Sequence, residues 1–139
     1  MALKQRVPQL KTKESGLLAQ IVNNSPVATF VINAQHQVLH WNRACEMVTG
    51  VPAEQLIGTT HAWKPFYSEE RPVMANLIVD GHLEQISSYY TTKFRPSLII
   101  EGAWEAEDFF PQFPGGGKWL AFIATAIWDE DTGEIIGAI

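Results

Sequence analysis

The sequence predicts an α+β domain, a five-stranded antiparallel sheet with short helices packed on one face and an N-terminal flanking helix. Three observations carry this. Two β-rich runs stand on either side of "NAQHQ", short helix-like segments fill the middle, and the chain turns to strand from Gly102 onward. Strands at both ends with helices between them close as an antiparallel sheet with one covered face. At 139 residues, 46% of them hydrophobic and 18% charged, the chain suits one soluble globular domain.

Residues 12–24, "TKESGLLAQIVNN", place Leu17, Leu18, Ile21 and Val22 on one helical face, and Pro26 ends the helix. With Leu10 these residues suggest a short seam for a homodimer, and docking on the same domain is equally open. "VATFVINAQHQVLHWN" reads as a hairpin. Asn42 then caps the helix "RACEMVT", and Gly50 supplies its left-handed exit. "VPAEQLIG" repeats this on a smaller scale, from Pro52 to Gly58. "SEERPVMANLIVDG" is a further helix with Ser68 as cap, Pro72 in its first turn and Gly81 as terminator; Val73, Met74, Leu77 and Ile78 form its buried stripe. Residues 82–101 are interrupted by Pro96, with a helical pattern at Ile86, Tyr89 and Tyr90. "GAWEAEDFF", "KWLAFIATAIW" and "EIIGAI" are the last three strands.

The organisation expected is a basic tail over 1–11, a flanking helix over 12–25 and the main folded domain over 26–139. The net charge is −5, yet after Lys4, Arg6, Lys11 and Lys13 the remainder holds 15 acidic against 6 basic residues. Such a body lacks the clustered cations that phosphate backbones require, which excludes nucleic acid as a partner. Cys45 is the single cysteine, so no intrachain disulfide can form, as suits a reducing compartment. The first 16 residues lack a signal-peptide core, and the longest apolar run, Trp119 to Trp128, is far short of the ~20 residues that span a bilayer. These features point to a cytoplasmic segment that does not itself insert into a membrane, within a parent protein that can be anchored elsewhere.

"PGGGKW" at residues 114–119 has the glycines and lysine of a phosphate loop. Such a loop needs Ser or Thr after the lysine and a helix beyond it. Here Trp119 follows, then a β-branched and aromatic run, so Gly115 to Gly117 are a connection between strands.

"IVNNSPVATFVINAQHQVLHWNRACEMVTGVPAEQLIG" resembles the first half of a PAS domain, and "GAWEAEDFFPQFPGGGKWLAFIATAIWDEDTGEIIGAI" is similar to its last three strands. The middle "WKPFYSEERPVMANLIVDG" resembles PAS sensor modules of bacterial signalling proteins. The resemblance covers residues 16–139. It implies a sensor that binds a small molecule or a partner and relays strain to a covalently linked output domain: a histidine kinase, a diguanylate cyclase or a chemotaxis-type transducer. It also implies that the module stops within its last strand, with the output domain absent. Any ligand is implied to sit between sheet and helices, where the candidates are Asn42, His61, Trp63, Phe66, Tyr67, Trp104, Trp119 and Phe122. The alternative is an interaction or dimerisation module without ligand.

The cofactor stays unknown. The region that carries the reactive cysteine in flavin photosensors of the family reads "GTTHAWKPFY" here, without one, and Cys45 lies a helix earlier. The long helix has no haem-ligating histidine; His82 comes just after its end and reads as a surface residue. His36 is expected to be solvated in the hairpin loop. His40 and His61 supply at most half a metal site, and no metal is expected. Glu105 and Glu107 share one face of a strand and read as solvated; a buried pair would instead suggest a small α+β cone with isomerase-like acid–base chemistry. No enzyme motif is present, and no enzyme is expected.

Overall fold

The computed structural model describes residues 16–91 and 93–139. Residues 16–24 are helical (α1), so the basic tail, Leu10 and the first turn of the expected helix lie outside the described residues. β1 (Phe30–Asn33) and β2 (Val38–Trp41) form the expected hairpin, with Phe30 opposite Trp41. α2 (Arg43–Thr49) follows, then a 3-10 turn at Ala53–Gln55, α3 (Met74–Val79), a 3-10 turn at Leu83–Gln85 and α4 (Ile86–Tyr89). The strands β3 (Lys93–Pro96), β4 (Trp104–Phe110), β5 (Lys118–Ala124), β6 (Ala126–Trp128) and β7 (Ile135–Ala138) complete the order.

All strand pairings are antiparallel, in the orders β2-β1-β7-β6 and β3-β4-β5. The long strand expected over 118–128 is present as β5 and β6, broken at Thr125. Before the break it pairs with β4; after it, with β7. Thr125 and Ile139 exchange both backbone hydrogen bonds at 3.0 Å, so the two groups of strands meet there. β3 is the addition to the expected sheet. Its cross-strand partners run from Lys93 with Glu107 to Pro96 with Trp104, and an edge position tolerates the missing proline N–H.

α3 lies on β7 and touches β1, β5 and β6, with Met74, Leu77 and Ile78 buried as its pattern requires. It starts later than expected, because neither Ser68 nor Pro72 opens it. Asn76 inside the helix accepts the Val73 N–H through Oδ1 at 2.8 Å, so the first turn closes around Val73. Proline disfavours helical backbone in the residue before it, and that residue, Arg71, spends its Nε–H on the Pro72 carbonyl at 3.2 Å.

Asn42 caps α2 and does more. Its Oδ1 accepts from Cys45 N at 3.0 Å and Thr29 N at 2.9 Å, while Nδ2 donates to Val22 O at 3.0 Å and Val27 O at 2.8 Å. The side chain is fully buried, and all its hydrogen-bonding capacity joins α1, the run into β1, and α2. The 111–117 connection is a strand-to-strand turn, as expected. Gly117 has φ 102°, and a Cβ there would stand 2.6 Å from the Phe109 ring.

Asn42→Ala should cost roughly 2–4 kcal/mol, because it orphans the buried Cys45 amide, the part-buried Thr29 amide and two carbonyls at once. Urea denaturation measures this. A loss under about 0.5 kcal/mol would show that the four bonds contribute little.

Candidate functional site

Aromatic rings hold the interior together across both groups of strands. Phe30 lies 5.4 Å from Trp41, Trp41 lies 5.9 Å from Phe66, and Phe66 lies 5.4 Å from Phe110 on β4. Tyr90, just after α4, meets Phe122 on β5 at 5.4 Å. Such tilted and edge-on pairs add specificity to a core already favoured by burial.

Arg71 enters this aromatic region as a cation. Its guanidinium lies 3.8 Å above the Tyr67 ring and 5.0 Å from the rings of both Tyr89 and Tyr90. Ring faces stabilise a cation through their quadrupoles, most strongly where water is excluded. Its Nη1 donates to the Tyr89 carbonyl at 3.4 Å, whereas the buried Nη2 has no hydrogen-bond partner among the described residues. No described carboxylate forms an ion pair with Arg71. The Tyr67 hydroxyl instead donates to Asp108 Oδ2 at 3.1 Å. A second buried donor, the Trp63 indole Nε1–H, is also unpartnered. Trp63 is tied to Tyr67 through one turn, because Tyr67 N donates to Trp63 O at 2.9 Å.

Burial pushes the Tyr67 and Tyr90 phenols up from their ordinary 10.0, and the Arg71 charge partly offsets this at both. The Cys45 thiol is pushed from 9.0 up to about 12, again by burial.

The sequence-derived candidates divide. Trp63, Phe66, Tyr67 and Phe122 converge on the interior, with Trp104 packed at the sheet side of the same core. His61 stands at its rim, 6.4 Å from Trp63. Asn42 is buried but has no donor or acceptor left over. Trp119 does not join the others: it is 66% exposed and pairs with Phe109 at 5.6 Å on the outer face. Strand alternation separates it from Phe122. Arg71, Tyr89 and Tyr90 were missed as site residues, since only the tertiary fold brings them to Tyr67.

His36 is not free in its loop. It adopts φ 67°, and its Nε2 lies 2.7 Å from Asp80 Oδ1. Because Asn76 Oδ1 accepts from Val73, the Asn76 Nδ2 donates to His36 Nδ1 at 3.0 Å, leaving Nε2–H to donate to Asp80. His82 is exposed and meets Gln85. Among the described residues no three His, Cys, Asp or Glu side chains group as metal ligands. Glu105 and Glu107 face outward and pair with Arg95 at 3.4 Å and Lys93 at 3.3 Å. Among the described residues no helix is long and apolar enough to cross a membrane.

Cys45, Tyr67 and Tyr90 stay protonated in the fold at pH values where the unfolded chain ionises. Their contribution is therefore complete below pH 9 and falls as pH rises through the unfolded values of 9.0 and 10.0. The urea midpoint should start to drop near pH 9 and go on falling toward about pH 12, and Cys45→Ala should remove the earliest part of that drop. A flat profile in the unaltered chain would contradict this.

The PAS fold family model matches residues 16–62. Among solved structures, the PAS domain of an HTR-like protein from Haloarcula marismortui shares 17% identity at a TM-score of 0.51, over 97% of this chain and 94% of that one. A PAS domain from Colwellia psychrerythraea shares 21% identity at a TM-score of 0.48, over 99% of this chain and 92% of that one. No curated protein matches the chain in sequence. The family match over residues 16–62 and the antiparallel strands with their covering helices agree: this chain has a PAS-like α+β fold.

Proposed function

We propose that this PAS domain is a cytoplasmic sensor module that binds a small molecule in its aromatic interior and passes the change along the sheet to an attached output domain. Arg71 carries this reading. A guanidinium held among three tyrosine rings, with its Nη2 buried and no carboxylate partner, is costly to maintain for stability alone. Its neighbours also reach the sheet, through Tyr90 against Phe122 and Tyr67 against Asp108. From there β5 continues through Thr125 into β6, which pairs with β7. A ligand favouring one arrangement of these rings biases the sheet by its differential affinity for the two arrangements. A kinase, a cyclase or a chemotaxis-type transducer would each serve as the output domain. No catalytic role is proposed.

A metabolite library followed by amide chemical shifts tests this. A binder should move the resonances of Tyr90 and Phe122 together with Thr125 and Ile135–Ala138. Binding that leaves Thr125 and β7 unmoved would defeat the relay.

A second reading, homodimerisation through α1, is favoured by Leu17, Leu18 and Ile21, which are 61%, 59% and 58% exposed. Leu17→Asp with Ile21→Asp should convert dimer to monomer in sedimentation. An unchanged sedimentation coefficient would remove the seam and leave the sensor reading standing.

A further inference from the structure

The charge and hydrogen-bonding state of the interior narrows the class of ligand. This step rests on reading that interior as a ligand site. Arg71 presents a full positive charge with one of its nitrogens, Nη2, buried and unpartnered, and the three rings around it supply no formal negative charge. One turn before Tyr67, the Trp63 indole holds a second buried N–H without an acceptor. Both orphans are donors, and hydrogen-bond donors left alone in a buried site call for acceptor atoms.

A single cation balances a single anionic charge. A phosphate dianion would leave excess negative charge beside Asp108, whose carboxylate already takes the Tyr67 hydroxyl. A neutral ligand would leave the guanidinium without a counter-charge. The surrounding surface is aromatic, at Phe66, Phe110 and Phe122, and suits an apolar remainder. We propose that the interior takes a small monocarboxylic acid as its carboxylate, anchored by Arg71 Nη2, with an acceptor atom toward Trp63 Nε1 and its apolar part against these rings. Arg geometry favours a carboxylate over a point anion, because the fork can meet two oxygens.

The test is a titration of the protein with sodium propionate, followed by the Arg71 Nε–H and Trp63 indole N–H signals, with propionamide and sodium chloride in parallel. Propionate should move both signals saturably, and neither control should. Arg71→Gln should weaken propionate binding roughly 10–100-fold. Arg71→Lys, which keeps the charge and loses the fork, should fall between the two and guards against misfolding of the glutamine variant. Trp63→Phe should weaken binding several-fold with the fold intact.

Equal response to propionamide would show that apolar filling alone drives binding, and equal response to chloride would show an unselective cation; either overturns the proposal. Signals unmoved by propionate overturn it too, as does Arg71→Lys binding as tightly as the unaltered chain. If other library molecules move β7 while propionate fails, the sensor reading survives and the carboxylate class falls. If propionate binds and β7 stays fixed, the class survives and the relay falls.

Discussion

The fold depends on one amide. Asn42 sits where the hairpin hands over to α2, and its two donors and two acceptors are all committed to backbone. Buried amides are tolerable only when satisfied, so this side chain both requires and fixes the positions of three separate stretches of chain. Trp41, its neighbour, is packed flat into the core with its indole N–H on the Val51 carbonyl at 3.0 Å. With α1 and α2 set by Asn42 and the hairpin set by Trp41, the sheet's inner face is placed for α3 and the aromatic interior.

Two polar arrangements of opposite character stand beside α3. The run from Val73 through Asn76 and His36 to Asp80 is closed in that each of its polar side chains meets a partner, and it clips the β1–β2 turn to both ends of α3. The region around Arg71 is open in the same sense, with donors in surplus. A closed network rigidifies, whereas an open one leaves free energy for something else to supply. The contrast sets the sensing proposed for Arg71, just before α3, apart from the support that His36 of the β1–β2 turn gives along that helix.

Features legible in the sequence were those written in neighbouring residues. Gly50, Gly58 and Gly81 all take positive φ where a helix or turn must end, and the stripe from Val73 to Ile78 faces inward at helical spacing. The glycines at 115–117 were separable from a phosphate loop by the tryptophan that follows them. β3 was illegible because four exposed residues ending in proline carry no alternating pattern. The start of α3 was misplaced because a proline that looks like an opening residue is instead bonded through its carbonyl to the preceding arginine. The site itself was half visible. Aromatics between 63 and 67 stood out, but the cation they surround comes with tyrosines from 18 or more positions further along, and no local spacing announces that.

β3 also bears on how the molecule behaves in a crowded solution. As an outer strand it leaves one row of backbone groups without a partner in the sheet, and such rows recruit other chains into extended aggregates. Here Pro96 removes an N–H from the strand, and Lys93 and Arg95 place charge on its outward side, satisfied by glutamates of the same molecule. The ion pairs contribute little to stability at so exposed a position. Their value is colloidal: they make the edge a poor template for further strands, even with Trp119 and Ile123 open on the adjoining surface.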